Sequence, residues 1–173
     1  MTDTARWDIE VDTLIVGTGA AGLTAALAAT DSGADTLIVE ALPYWGGTTS
    51  WSGGAAWAPG NSSARRVGLK DPVEDVLTYM ENVIGDVGPA SSRERKMAFI
   101  KAVPEAIDFL DSRGAAWEHM PYQTDYYPER PGGRTGGRTV QCAPFDLNQL
   151  GSWRESWNGN RNEFPLPLKS SDL

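Results

Sequence analysis

The chain has 173 residues, of which 40% are hydrophobic and 22% charged, a composition typical of a globular protein. Its net charge is −8 and its lysines and arginines are scattered, which argues against the basic face that nucleic-acid binding requires. No apolar run approaches the roughly 18 to 20 residues of a membrane-spanning helix. Residues 1–10 lack the features of a signal peptide, and the one cysteine, Cys142, fits a reducing compartment, so we expect a cytoplasmic protein.

The first predicted elements form a strand–helix–strand unit. Residues 13–16 are a short apolar run, typical of a buried parallel strand. The glycine-rich residues 17–22 follow directly, and the alanine-rich residues 23–30 favour a helix that stops near Gly33. Residues 36–40 predict a second buried strand. We therefore expect an α/β fold that opens with a Rossmann-like βαβ unit.

A helix is predicted to begin at residue 71. Asp71 is placed as the N-cap, Pro72 as the first helical residue and Glu74 as the capping-box acid. The apolar residues that follow keep helical spacing, which predicts one buried face: Val73, Val76, Leu77, Met80, Val83 and Ile84.

A second helical stretch is predicted from Ser92 to Asp111, and Pro104 is expected to kink or divide it. The periodicities suggest four consecutive segments. They are a βαβ unit with a glycine loop over 1–62, a helical segment over 63–120, an active-site loop region over 121–152 and an extended C-terminal arm over 153–173.

Three glycines follow the first predicted strand at the spacing of a dinucleotide-binding turn. In this interpretation Gly17 permits the tight turn, Gly19 lets the backbone approach a pyrophosphate, and Gly22 lets the helix pack on the strand. Ala20 and Ala21 lie between them, where the first N–H groups of the helix face the phosphates. Glu40, at the end of the second strand, is predicted to accept hydrogen bonds from ribose hydroxyl groups. The alternative is a glycine turn that binds no ligand.

A second glycine-rich loop favours FAD over NAD. It presents backbone N–H groups and hydroxyls where an NAD-binding domain would not need them, and a flexible surface loop is the alternative. The candidate cofactor-binding residues of this loop are Gly46, Gly47, Thr48, Thr49, Ser52, Gly53 and Gly54.

Residues 13–60 resemble the FAD domain of the fumarate reductase and 3-ketosteroid Δ1-dehydrogenase superfamily. Several later motifs are similar to the ketosteroid dehydrogenase branch, and the resemblance extends over residues 10–151. These motifs are Trp57-Ala58-Pro59-Gly60, Ile84-Gly85-Asp86, Asp125-Tyr126-Tyr127-Pro128-Glu129, Pro131-Gly132-Gly133-Arg134 and Pro144-Phe145-Asp146.

The resemblance implies a chemistry and a catalytic residue. In that family the first tyrosine of the Asp-Tyr-Tyr motif, Tyr126 here, assists proton abstraction beside a ketone, and flavin N5 takes hydride from the neighbouring carbon. The implied substrate is a cyclic ketone such as a 3-ketosteroid. The tyrosine could instead serve only as aromatic packing.

Other residues bear on how the cofactor and substrate are held. Family members with covalent flavin use a histidine in the second glycine loop; residues 46–54 contain none, so noncovalent FAD is expected. The only histidine, His119, is expected to be structural, and a protein-built metal site is not expected. Arg134 and Arg138 are interpreted as contacts to flavin phosphate, substrate or a partner, or as exposed loop charges.

The chain is short for the family it resembles, whose members continue with further sheet strands and catalytic groups. We therefore expect either one subunit of a split enzyme or a truncated piece, and a second protein chain that completes the FAD and catalytic domains. Two alternatives stay open: a fumarate-reductase-like or enone-reducing flavoprotein, and a flavin-binding or regulatory module without turnover.

Overall fold

The computed structural model describes residues 7–161, which belong to two compact units. The first unit contains residues up to 52 and resumes at 146, and the second contains residues 53–145. The first unit thus takes residues from both ends of the described chain, whereas the sequence suggested four consecutive segments.

The first unit begins with the predicted strand–helix–strand arrangement. Strand β1 (Thr13–Val16) is followed by helix α1 (Ala20–Asp31) and strand β2 (Thr36–Val39). The two strands pair in parallel, with Thr13 opposite Thr36 and Val16 opposite Val39. The helix starts earlier than predicted because Gly19 is already its N-cap, and it ends at Asp31, with Ser32 as the C-cap before the left-handed Gly33 (φ 86°). The predicted βαβ unit is confirmed.

The prediction that these strands are buried is wrong for the described residues. Val16 is 81% exposed and Leu14 is 59% exposed, and Ile15 is the buried residue of β1. Within residues 7–161, β1 and β2 form a two-stranded sheet, and along β1 the exposed Leu14 and Val16 alternate with the buried Ile15. Apolar strands of a parallel sheet are normally buried on both faces.

The extended arm predicted from residue 153 is also wrong over its described part. Residues 147–156 form 3₁₀ turns interrupted at Gly151, and a further 3₁₀ turn spans 158–161. The segment lies against the loop after β2, because the Trp45 N–H donates to the Ser156 carbonyl at 2.9 Å and the Asn158 N–H donates to the Trp45 carbonyl at 2.8 Å. The remainder of that arm, 162–173, lies outside the described residues.

The second unit contains a three-stranded antiparallel sheet that the sequence did not predict. Its strands are β3 (Ala55–Trp57), β4 (Trp117–His119) and β5 (Thr139–Cys142), in the order β3-β5-β4. Strands of three or four residues leave too short a pattern for periodicity to identify.

Three helices complete the second unit: α2 (Ser62–Arg66), α3 (Val73–Ile84) and α4 (Arg93–Ser112). The predicted helices α3 and α4 are confirmed, and Pro104 lies inside an undivided α4. The predicted cap of α3 is wrong, because Pro72 occupies the N-cap position and the Asp71 carboxylate pairs with arginines instead.

The buried face of α3 packs on α4. Val76, Leu77 and Met80 form one apolar cluster with Ile100, as the helical spacing predicted. Val73 and Ile84, which the same spacing placed on the buried face, are exposed because they lie at the two ends of the helix. A second cluster joins Ala58, Ile107 and Val140, and so connects α4 with the sheet. Across the described stretch of the chain, no helix is long and apolar enough to cross a membrane.

Candidate functional site

The glycine turn between β1 and α1 has the geometry that close backbone packing requires. Gly17 is left-handed (φ 96°), and its N–H donates to the Val39 carbonyl at 2.7 Å. A Cβ atom at Gly22 would lie 2.0 Å from the Gly17 carbonyl oxygen, so no side chain fits there. At Gly19 the nearest atom to such a Cβ is the Thr49 hydroxyl oxygen at 3.8 Å, an ordinary contact distance, so a Cβ would not clash there. The turn therefore leaves room for a ligand at Gly19 while Gly22 serves packing.

Thr18 links the turn to Glu40 and to the second glycine loop. Its backbone N–H donates to Glu40 Oε2 at 2.9 Å, its hydroxyl donates to the same oxygen, and it accepts from the Gly46 N–H at 2.9 Å. Leu42 N–H donates to the other carboxylate oxygen at 3.2 Å. The bond from the Thr18 hydroxyl, with those from the backbone, holds the pKa of Glu40 below its ordinary value. Thr18 was not predicted as a site residue, since only its hydroxyl distinguishes it within the turn.

The Glu40 carboxylate is therefore ionised and oriented at neutral pH. Each carboxylate oxygen can accept more than one hydrogen bond, so the bonds from the chain do not use up its capacity. The ribose contact of Glu40 stays a prediction, and the local geometry permits it.

The start of the second glycine loop lies against the turn. A Cβ atom at Gly47 would be 3.1 Å from Gly19 Cα, and the Ala20 N–H donates to the Thr49 hydroxyl at 3.1 Å. Residues 47–51 form a 3₁₀ turn rather than an irregular loop, and Ser52 ends it by donating to the Thr49 carbonyl at 2.8 Å.

The other candidate residues of this loop are placed differently. The Thr48 side chain is exposed. Gly53 and Gly54 belong to the second unit, where the Gly54 carbonyl accepts from the Cys142 N–H at 3.0 Å. Ala21 lies in the first turn of α1 with Ala20.

A mostly apolar cleft of about 370 Å³ lies beside Glu40 in the first unit. Its size is within the usual range for ligand pockets, about 300 to 1,000 Å³. An open glycine, an oriented carboxylate and an apolar cleft are the features that the adenosine and pyrophosphate of a dinucleotide need, so the residues present fit FAD. The cleft is lined by Thr18, Leu23, Ile38, Glu40, Trp45, Leu150 and Trp153.

Tyr126 belongs to the second unit, where its side chain is 96% exposed. It borders two clefts. One, of about 230 Å³, also contacts Thr124 and Thr139, and the other, of about 320 Å³, is almost wholly apolar. The larger cleft is lined by Trp57, Tyr79, Met80, Val83, Ile84, Tyr126 and Tyr127. Tyr126 thus presents a phenol beside an apolar surface, where simple core packing would have buried it.

Arg138 was interpreted either as a contact to flavin phosphate, substrate or a partner or as an exposed loop charge, and its role in the structure is different. Its side chain is 1% exposed and pairs with two carboxylates, Asp71 at 2.9 Å and Asp125 at 2.7 Å. Arg134 also pairs with Asp71, at 3.1 Å. Neither arginine is a free loop charge. Asp71 was assigned to a helix cap, and Asp125 was noted only as part of the tyrosine motif, so neither pairing was predicted from the sequence.

Three comparisons with known proteins agree on one family. The family described as FAD binding domain matches residues 12–164. The chain is 41% identical over 145 residues to a 3-oxosteroid 1-dehydrogenase of Mycolicibacterium smegmatis, which covers 82% of this chain and 25% of the relative. It is 38% identical over 147 residues to a 4-oxocyclohex-2-ene-1-carboxylate 5-dehydrogenase of Sinomonas cyclohexanicum, covering 84% of this chain and 24% of the relative.

The structural comparison agrees with the sequence comparisons. A crystal structure of 3-ketosteroid Δ1-dehydrogenase from Sterolibacterium denitrificans, in complex with 1,4-androstadiene-3,17-dione, matches with a TM-score of 0.76 and 31% identity. The match covers 86% of this chain and 26% of that one. The chain thus spans about a quarter of the length of the relatives it matches.

Proposed function

Because this chain belongs to the FAD-binding domain family, we propose that it is the FAD-binding part of a dehydrogenase that desaturates a cyclic ketone next to its carbonyl. FAD is the cofactor that family membership indicates. The observation that most supports the reaction is the exposed phenol of Tyr126 at the edge of an apolar cleft. The reductase and non-catalytic alternatives receive no better support from the related proteins.

In the proposed reaction Tyr126 assists removal of a proton from the carbon beside the ketone. The carbonyl makes that C–H bond acidic, and Tyr126 in its phenolate form accepts the proton and becomes the neutral phenol. Bound FAD would accept a hydride from the neighbouring carbon, which completes the C=C bond. The apolar cleft contributes by holding the hydrocarbon rings away from water.

The cleft favours a neutral polycyclic ketone over a charged monocyclic one. The two matched enzymes described above are named for a 3-oxosteroid and for an oxocyclohexene carboxylate. A carboxylate substrate needs a cation to offset its desolvation, and none of the described residues that line the larger cleft is Lys or Arg. We therefore propose a 3-ketosteroid as the substrate class.

The proposed function is tested by dye reduction with the flavin-loaded enzyme that contains this chain. We expect a 3-ketosteroid to reduce an artificial electron acceptor, and 4-oxocyclohexane carboxylate to give a much lower kcat/KM. Equal or better turnover of the carboxylate would contradict the substrate class. Fumarate reduction by a reduced dye, without ketone oxidation, would contradict the reaction itself.

We expect the flavin to be held without a covalent bond. The loop over residues 46–54 contains no histidine, and His119 belongs to strand β4 of the second unit. Acid precipitation of the purified holoenzyme should therefore release all yellow colour to the supernatant. Flavin that stays with the precipitated protein would contradict noncovalent binding.

We propose that a second protein chain covers the exposed face of the β1–β2 sheet. An apolar parallel sheet is normally covered on both faces, and an exposed one promotes aggregation. We expect this chain by itself to be insoluble or flavin-free, and to form a yellow complex when co-expressed with the product of the neighbouring reading frame. An interface that completes a sheet would bury more than about 2,000 Å².

A matched pair of variants tests this interface. Leu14 in β1 is 59% exposed, and Val67, outside the sheet, is 60% exposed. Leu14→Asp should prevent complex formation, because it places a charge in the covered face, and Val67→Asp should assemble normally. Size-exclusion chromatography distinguishes the complex from the unassembled chain. A soluble, active and monodisperse product from this chain without any partner would contradict the proposal.

A further inference from the structure

Four charged side chains form a compact network in the second unit. The Arg138 guanidinium donates to Asp71 through Nε at 3.0 Å and through Nη2 at 2.9 Å, and to Asp125 through Nη1 at 2.7 Å. Arg134 adds a second cation at Asp71. Two carboxylates and two guanidinium groups balance in charge, and the Arg138, Asp71 and Asp125 side chains are each at most 4% exposed.

Such a buried network is not explained by stability alone. Removing charges from water costs several kcal/mol per ion, and a buried ion pair is often no more stabilising than apolar residues of the same volume. What the network does provide is a fixed orientation of its side chains, since a bidentate guanidinium holds its partners in a defined geometry.

The network fixes the residue immediately before Tyr126. The Asp125 carboxylate accepts from Arg138, from the Trp57 indole N–H at 2.7 Å and from the Arg134 backbone N–H at 2.9 Å. Its own backbone N–H donates to the Arg134 carbonyl at 2.9 Å. Asp125 is therefore held through both its side chain and its backbone.

The residue immediately after Tyr126 is held as well. The Tyr127 N–H donates to the Tyr79 hydroxyl at 3.2 Å. The same guanidinium lies over two aromatic rings. Arg138 Cζ is 5.5 Å from the centroid of the Tyr79 ring and 5.9 Å from that of the Trp57 ring, and both distances are within the usual range of cation–π contacts. One buried arginine thus organises the groups that hold the chain on both sides of Tyr126, whose side chain remains exposed.

We propose that Asp125, Arg138, Asp71 and Tyr79 are positioning residues that aim the Tyr126 phenol at the substrate. This inference rests on the catalytic role of Tyr126 proposed above. Asp125, Arg138 and Asp71 act through the backbone that presents the tyrosine and need not touch the substrate. Tyr79 also lines the larger cleft, and its positioning effect comes from the hydroxyl that holds Tyr127. A displacement of about 1 Å in a reacting group can lower a rate by as much as about 10²-fold, so a loosened backbone has a measurable effect.

A double-mutant cycle in the flavin-loaded enzyme tests the inference. Asp125→Asn keeps the shape of the side chain and removes its charge. We expect it to lower kcat about ten-fold with flavin content and KM unchanged. In the Tyr126→Phe background the same substitution should lower kcat by less than about two-fold, because its effect passes through the missing hydroxyl. An equal decrease in kcat in the two backgrounds would overturn the proposal. A merely structural defect would lower kcat by the same factor whether or not the Tyr126 hydroxyl is present.

Two further variants keep the test decisive. Tyr79→Phe removes only the hydroxyl that holds Tyr127 and leaves the ring under Arg138. It should lower kcat when Tyr126 is present and have little effect in the Tyr126→Phe background, and this result does not depend on whether Asp125→Asn folds. Asp108→Asn is the matched control. It breaks the exposed pair with Arg65, 2.6 Å apart in the same unit, and should leave kcat unchanged.

A spectroscopic measurement separates this inference from the proposed function. Fluorotyrosine incorporated in place of Tyr126 should give one narrow fluorine NMR line that shifts or broadens in Asp125→Asn and in Tyr79→Phe, but not in Asp108→Asn. If Tyr126→Phe keeps full turnover, the catalytic proposal fails while this measurement still decides whether the network positions Tyr126. An unchanged line in both network variants would overturn the positioning role.

Discussion

Replacing Gly19 with valine is expected to abolish FAD retention without unfolding the chain. The backbone at Gly19 has φ −67° and ψ 176°, which any residue can adopt. A Cβ atom there would meet only the Thr49 hydroxyl at 3.8 Å. The added side chain would instead occupy the space in which the pyrophosphate approaches the turn. The ratio of flavin absorbance to protein, measured on the purified enzyme that contains this chain, should fall to near zero, while the thermal stability of its flavin-free form stays unchanged.

Gly22→Ala provides the contrasting control three residues away. Its Cβ would lie 2.0 Å from the Gly17 carbonyl oxygen, a contact that protein atoms do not tolerate. We expect this variant to destabilise the flavin-free protein itself, so both flavin content and thermal stability should fall. Full flavin content in Gly19→Val would show that the pyrophosphate does not bind at this turn.

Tyr126→Phe is expected to lower turnover of a 3-ketosteroid by about 10²-fold, the usual scale of acid–base assistance. This corresponds to roughly 2.7 kcal/mol of lost transition-state stabilisation. The ring remains to border the cleft, so KM should change little, and the flavin content should be unchanged because the substitution leaves the glycine turn and Glu40 intact. Steady-state kinetics of the flavin-loaded enzyme measures both parameters.

Tyr122→Phe is the matched control for that variant. Tyr122 is 92% exposed, as Tyr126 is, yet it borders neither of the two clefts. Loss of its hydroxyl should leave kcat and KM unchanged. If the Tyr126 and Tyr122 variants both retain the full rate, Tyr126 serves aromatic packing and another group removes the proton.

Local patterns were sufficient to identify the nucleotide-binding start of the chain. The βαβ unit, helices α3 and α4 and the family itself follow from residues that are close in sequence: an apolar run, three glycines at fixed spacing, and apolar residues at helical intervals. These signals are reliable because the backbone conformation and the periodicity of each element depend on its own residues.

Contacts between distant residues explain two of the predictions that were wrong. Asp71 was predicted to cap a helix, but in the structure it pairs with Arg138, 67 residues later. Residues 153–161 were predicted to be extended, but the loop at Trp45 supplies backbone partners that turn them back on the chain. A local rule cannot weigh a partner that only the fold brings near.

The cofactor class, the turn expected to bind it and the tyrosine motif could be predicted from the amino-acid sequence, because each is encoded in a short contiguous stretch. The burial of Arg138, its pairing with both Asp71 and Asp125, and the exposure of Tyr126 between two residues held by that network became visible in the folded chain. A charged side chain can be buried only where partners from other parts of the chain offset its desolvation, and those partners are assembled by folding.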